Sequence, residues 1–178
     1  MPSASDSIGV TDGVSFSLDR PDDKRPWIEM WEIVKHNRRL VDAAYADVAT
    51  RRDAETHLKT AVMNFCVCCA HLIDHLGWDP AVAGNTGTQQ SVDKIRDELT
   101  NNYQPLDLVL DACNTYKHHT RIKKNSKNVR IRKFSSPPPR IAFGWEDAVG
   151  KANYRDALDV VNDAMAAWER YLAHERLI

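Results

Sequence analysis

Two short polar runs carry the residue types of acid–base and phosphate chemistry. At about 100° per residue, Asn64, Cys68, His71 and His75 fall on one narrow helical face, with Asp74 beside His71. Some forty residues later Asn114, Lys117, His118 and Arg121 share a face of a second helix. An imidazole gives and takes protons near neutral pH, which suits His118 to exchange with a ribose 2′-hydroxyl or a leaving oxygen. Lys117 and Arg121 would neutralise a phosphate as charge develops, and Asp74 or Asn114 would orient the ring. Asn64, His71 and Asp74 form the supporting network. An unpaired buried polar group costs roughly 1 to 3 kcal/mol, so Asp74 and His71 are expected to find partners, with the second helix as their source.

The first run also admits a metal reading. His71 and His75 at i and i+4, with Cys68 a turn earlier, could share a zinc ion, but four ligands are normally required and helical histidine pairs are common without one. The expectation is therefore no metal and no cofactor.

The second run opens into a stretch of unusual charge. No acidic residue lies between Asp111 and Glu146, whereas Lys117, Arg121, Lys123, Lys124, Lys127, Arg130, Arg132, Lys133 and Arg140 all do. The chain as a whole carries a formal net charge of only −1, so one end of the fold must be electropositive. Arg121, Lys123, Lys124, Arg130 and Arg132 are the phosphate-binding candidates. A solvated loop is the ordinary fate of such a run.

These residues need elements to hold them. Residues 1–25, Ser-rich and without a basic or long apolar run, read as a mobile arm, with one alternating piece at Val14, Phe16 and Leu18. Residues 26–178 read as a single domain, a size suited to one core. From Trp27, a helical period runs through Trp31, Val34, Val41, Tyr45 and Val48, interrupted at Arg38. Leu58, Val62, Phe65, Cys69, Leu72 and Leu76 form a second stripe, on a helix so apolar that it should be central. A short helix from about Gln89 follows the loop at 79–88, and Pro105 opens a fourth with Leu106, Leu110 and Cys113 inward.

Val129 and Ile131 then alternate with Arg130 and Arg132, and Ile141, Phe143 and Trp145 alternate after a proline-rich connection. This predicts a hairpin over about 128–146. A last helix is expected from about Lys151 to Glu175, with Tyr154, Leu158, Val161, Met165, Trp168 and Leu172 in its stripe. The fold class is mainly all-α, an antiparallel bundle of four to five helices with a small β-hairpin before the last.

On these residues rests a resemblance. Cys69-Ala70-His71-Leu72-Ile73-Asp74, followed by Cys113-Asn114-Thr115-Tyr116-Lys117-His118, resembles a group of bacterial helical proteins with C-x-H-L-x-D-W on one helix and C-N-x-x-K-H on a later one. That group is distantly similar to the HEPN superfamily of helical bundles, which includes RNA-cleaving toxins and nucleotide-binding modules. His75 stands where the group has Trp. In active HEPN ribonucleases four to six residues separate an Arg from the following His, whereas here three residues separate Asn114 from His118 and no arginine stands at the expected place.

The resemblance implies a module that binds RNA or a nucleotide phosphate at the His118 end, with weak metal-independent ribonuclease activity as its furthest reach. The alternative is a non-catalytic interaction module, a homodimer, whose polar motif only locks helices. The longest uninterrupted apolar run, Phe65–Ala70, is too short for a membrane span, and Cys66, Cys68 and Cys69 lack paired C-x-x-C spacing. A cytoplasmic protein with free thiols is expected.

Overall fold

The structure is a computed structural model that describes residues 25–80, 82, 86–118, 127–135 and 138–178. The expected arm and its alternating piece therefore lie outside the described residues. Among these residues are five helices, α1 (Pro26–Ala46), α2 (Ala54–Trp78), α3 (Gln89–Asn102), α4 (Gln104–His118) and α5 (Ala157–His174), with strands β1 (Arg130–Ser135), β2 (Arg140–Glu146) and β3 (Ala152–Asp156) between α4 and α5. This mainly helical architecture is compatible with the expected bundle.

Pro26 occupies the first turn of α1, where its missing N–H costs nothing, and holds Arg25 extended before it. Trp27, Met30, Trp31, Val34, Val41 and Ala44 are buried on its inner face. Arg38, which interrupts that stripe, crosses to Asn162 of α5 and pairs with Asp42 at 2.5 Å. The interruption is thus a polar tie between the first and last helices.

α2 is the central helix. It packs against all four other helices and against β1 and β2, and every member of its predicted stripe is fully buried. By length and composition alone α2 would cross a membrane, which an uninterrupted-run criterion misses because isolated polar residues punctuate it. Half of that apolar window is buried inside the protein, as in the core helix of a folded domain. Near its end a Cβ on Gly77 would lie 2.6 Å from the Val92 Cα. Only glycine lets α3 seat against α2 there.

α4 is buried on more than one side, because the sheet covers the face that the helices leave. Leu106, Leu108, Val109, Leu110 and Ala112 are all buried. Two carboxylates one turn apart on α4 fasten the chain entering β1. Asp107 accepts from Lys127 Nζ at 2.6 Å, and the buried Asp111 accepts from the Val129 backbone N–H at 2.8 Å. Asn128 between them takes a left-handed backbone (φ 49°), which asparagine tolerates better than most residues.

The hairpin is in fact two-thirds of a sheet. The strands pair antiparallel in the order β1-β2-β3, and residues 152–156, expected to open the last helix, form the third strand. Tyr154 lies four residues before Leu158 and so mimics a helical stripe. The decisive local chemistry lies on either side of it. Asp147 accepts from the backbone N–H groups of Val149 and Lys151, closing a turn whose Gly150 has φ 80°. Asp156 caps α5 by accepting from Leu158 N–H at 2.9 Å, so the helix starts after it.

Candidate functional site

The polar run on α2 lies on the surface. Because the buried stripe of α2 occupies the opposite side, Asn64 and His71 are exposed, while Cys68, Asp74 and His75 are half-buried. Water satisfies the exposed groups, which removes the need for a partner on α4. Asp74 does find a partner, but on α3: Arg96 Nη2 donates to Asp74 Oδ1 at 3.4 Å and leans towards Asp93 at 3.8 Å.

On α4, Asn114 is half-buried and Lys117 exposed. No hydrogen bond joins the side chains of Asn64, His71, Asn114 or Lys117 to another described residue. His118 ends α4, and its side chain, like Arg121, Lys123 and Lys124, lies outside the described residues.

What the two runs share is the half-buried Cys113 thiol. Burial pushes it above the ordinary range; Lys117 and Arg96 pull the other way, and Asp74 adds to the rise. Burial also raises Cys66, Cys68 and Cys69. All four cysteines are free and held as neutral thiols, poor nucleophiles and poor ligands. Among the described residues no group of three or more His, Cys, Asp or Glu converges as a metal site, so Cys68, His71 and His75 are not assembled into one.

The cations of the basic segment separate into distinct sets. Lys127 is held by Asp107, Lys133 lies 3.5 Å from Glu55 of α2, and Arg140 lies 2.6 Å from Asp156. The first two fasten β1 and its approach to the helices, and the third joins β2 to the end of β3. Lys117, Arg130 and Arg132 have no acidic partner among the described residues, and all three are exposed.

The sheet register aligns the two arginines with an aromatic surface. Arg130 lies opposite Gly144 and Gly144 opposite Tyr154, while Arg132 lies opposite Ala142, so these residues share one face. The Tyr154 ring lies across Gly144, where an added Cβ would meet it at 3.0 Å. Tyr154 remains 51% exposed and Phe134, its ring centroid 6.5 Å away, 60% exposed. Beside them a polar groove of about 410 Å³ is lined by Lys127, Arg130, Arg132, Trp145 and Tyr154, with Glu146 the acidic residue at its edge.

Sequence reasoning found the arginines of this face through their alternation, but it assigned Tyr154 to a helix and gave Phe134 and Gly144 no role. The Asp147–Gly150 turn and the capping Asp156 are the signals that could have exposed the third strand. Compared with known proteins, the chain matches no family model, no curated protein and no solved structure, so its functional reading rests on its own residues.

Proposed function

We propose that the open face of the sheet binds the phosphate backbone of single-stranded RNA or of a nucleotide. The observation that carries this reading is a pair of exposed arginines with no salt-bridge partner among the described residues, set beside two exposed aromatic rings on the sheet. Guanidinium groups pair with phosphate in a planar, two-point geometry, and exposed rings on a sheet offer stacking area to any base. Lys117 is exposed on α4, the helix that packs against β1, and is the further cation available to a longer phosphate backbone. The contact is with backbone and ring faces, so little sequence preference is expected.

A metal-independent cleavage step is the further reach of the HEPN resemblance, with His118 exchanging the proton and Lys117 neutralising charge. The arginine that those enzymes carry ahead of the histidine is missing here, and the nearby Asn114 has no charge, so turnover is expected to be slow beside binding. The competing reading, in which the His, Asp and Lys motif only locks helices, draws on the Asp74–Arg96 pair. That pair is long and half-exposed, and such pairs contribute little.

The test is the salt dependence of binding to a labelled single-stranded RNA. If Arg130, Arg132 and Lys117 each neutralise one phosphate, the logarithm of affinity should fall with the logarithm of salt at a slope of about −2. Binding that ignores salt, or no binding at low salt, overturns the reading.

A further inference from the structure

A second cavity, of about 320 Å³, opens on the other side of Arg130, between α2, α4 and β1. Its walls are mainly apolar, formed by Met63, Ala112, Val129 and Ile131. Thr115 also lines it. This residue is 6% exposed, and its hydroxyl has no hydrogen-bond partner among the described residues, although a helical threonine can usually bond the carbonyl one turn back. A buried hydroxyl without a partner is costly, and native proteins rarely keep one without a use. A largely apolar cavity with one such polar group has the make-up of a small-molecule site.

The charges at the rim narrow the ligand. Lys59 is engaged by Glu55 at 2.6 Å, so the α2 side presents a neutralised pair rather than a second anion site. Arg130 belongs to the walls of both this cavity and the basic groove. Tyr116, 73% exposed, stands at the rim with its ring available for stacking. A fatty chain would leave the Thr115 hydroxyl unpaired, and a small anion would leave the apolar walls wet. A neutral, flat group with polar edges and an anionic tail satisfies both.

We propose that this cavity is a nucleobase site: the base of a nucleotide, or of an RNA end, enters between α2, α4 and β1, its edge bonds the Thr115 hydroxyl, and its phosphate meets Arg130. The proposal rests on the phosphate reading of the sheet face and adds to it where a base would go.

The experiment measures, by calorimetry, the binding of AMP, UMP, adenosine and ribose 5-phosphate to the full chain and to Thr115→Val and Ala112→Leu. The first substitution removes the hydroxyl while keeping the shape; the second fills the cavity. A nucleotide is expected to bind at least about tenfold more tightly than ribose 5-phosphate, because a site with a buried bonding group discriminates against ligands that leave it unpaired. That advantage should shrink in Thr115→Val, whose melting temperature should not fall, and vanish in Ala112→Leu. Arg130→Ala should weaken nucleotide and ribose 5-phosphate alike.

If ribose 5-phosphate binds as tightly as the nucleotides, or if the base preference survives both substitutions, the base site is overturned while the phosphate reading stands. If adenosine binds in a Thr115-dependent manner and none of the three phosphate compounds binds, the base site is supported and the phosphate reading falls. If none of the four binds, the base site is overturned, and the phosphate reading stands or falls with the salt-dependent RNA titration.

Discussion

The polar strips on α2 and α4 and the open face of the sheet both carry residues suited to chemistry, yet the fold treats them differently. On the helices, Asn64, His71 and Lys117 point to water and are tied to nothing described, and the one acid among them, Asp74, turns to Arg96 on a third helix. On the sheet, the pairing register fixes Arg130, Arg132, Gly144 and Tyr154 relative to one another. Sharing a helical face places residues in a direction; sharing a strand register places them at a distance. Recognition requires the second.

The widest separation of the two regions should come from charge. Reversing both arginines (Arg130→Glu with Arg132→Glu) should lower RNA affinity about a hundredfold or more at low salt, while Asn64→Ala with His71→Ala leaves it unchanged in the same anisotropy assay. Equal losses from the two double variants would erase the distinction.

Asp111 tests whether the sheet must be fastened to α4. Removing a buried carboxylate that accepts the Val129 N–H leaves that donor without its partner, so Asp111→Ala should cost roughly 2 to 3 kcal/mol in urea denaturation. Asp111→Asn, which keeps an acceptor, should recover part of this. Tyr154→Ala should weaken RNA binding by about 1 to 3 kcal/mol, the usual contribution of one stacking ring, with little change in stability because the ring is half-exposed. The smallest effect is expected at Asp74. Its long, half-exposed pair with Arg96 should make Asp74→Ala cost about 0.5 kcal/mol or less in stability, and RNA affinity should not respond. A loss of several kcal/mol there would return weight to the helix-locking reading.

The helical body was readable because burial imposes a period. Leu58 to Leu76 could be placed from spacing alone, and the hairpin from the alternation of Val129 to Arg132 and of Ile141 to Trp145. The start of α5 was not, because Tyr154 satisfies both a helical spacing and a strand position, and only the cap at Asp156 distinguishes them. The candidate site was half readable. Its arginines announce themselves by charge and alternation, but the Tyr154 ring acquires meaning only once β3 lies beside β2. Thr115 gives no sign in the sequence, since its unpartnered state depends on what surrounds it. The polar strips misled in the opposite direction, because a nearly all-apolar helix made its few polar residues look buried when they mark its wet side.

Asp156 has a consequence for how the sheet and the last helix respond to one another. One of its oxygens starts α5 at Leu158 N–H and the other lies 2.6 Å from Arg140 of β2, so one carboxylate at the end of β3 joins the platform to the first turn of the last helix. A ligand that stiffens the platform should therefore slow amide exchange in the first turn of α5, a helix it never touches, and Asp156→Ala should sever that communication while leaving the strands able to pair.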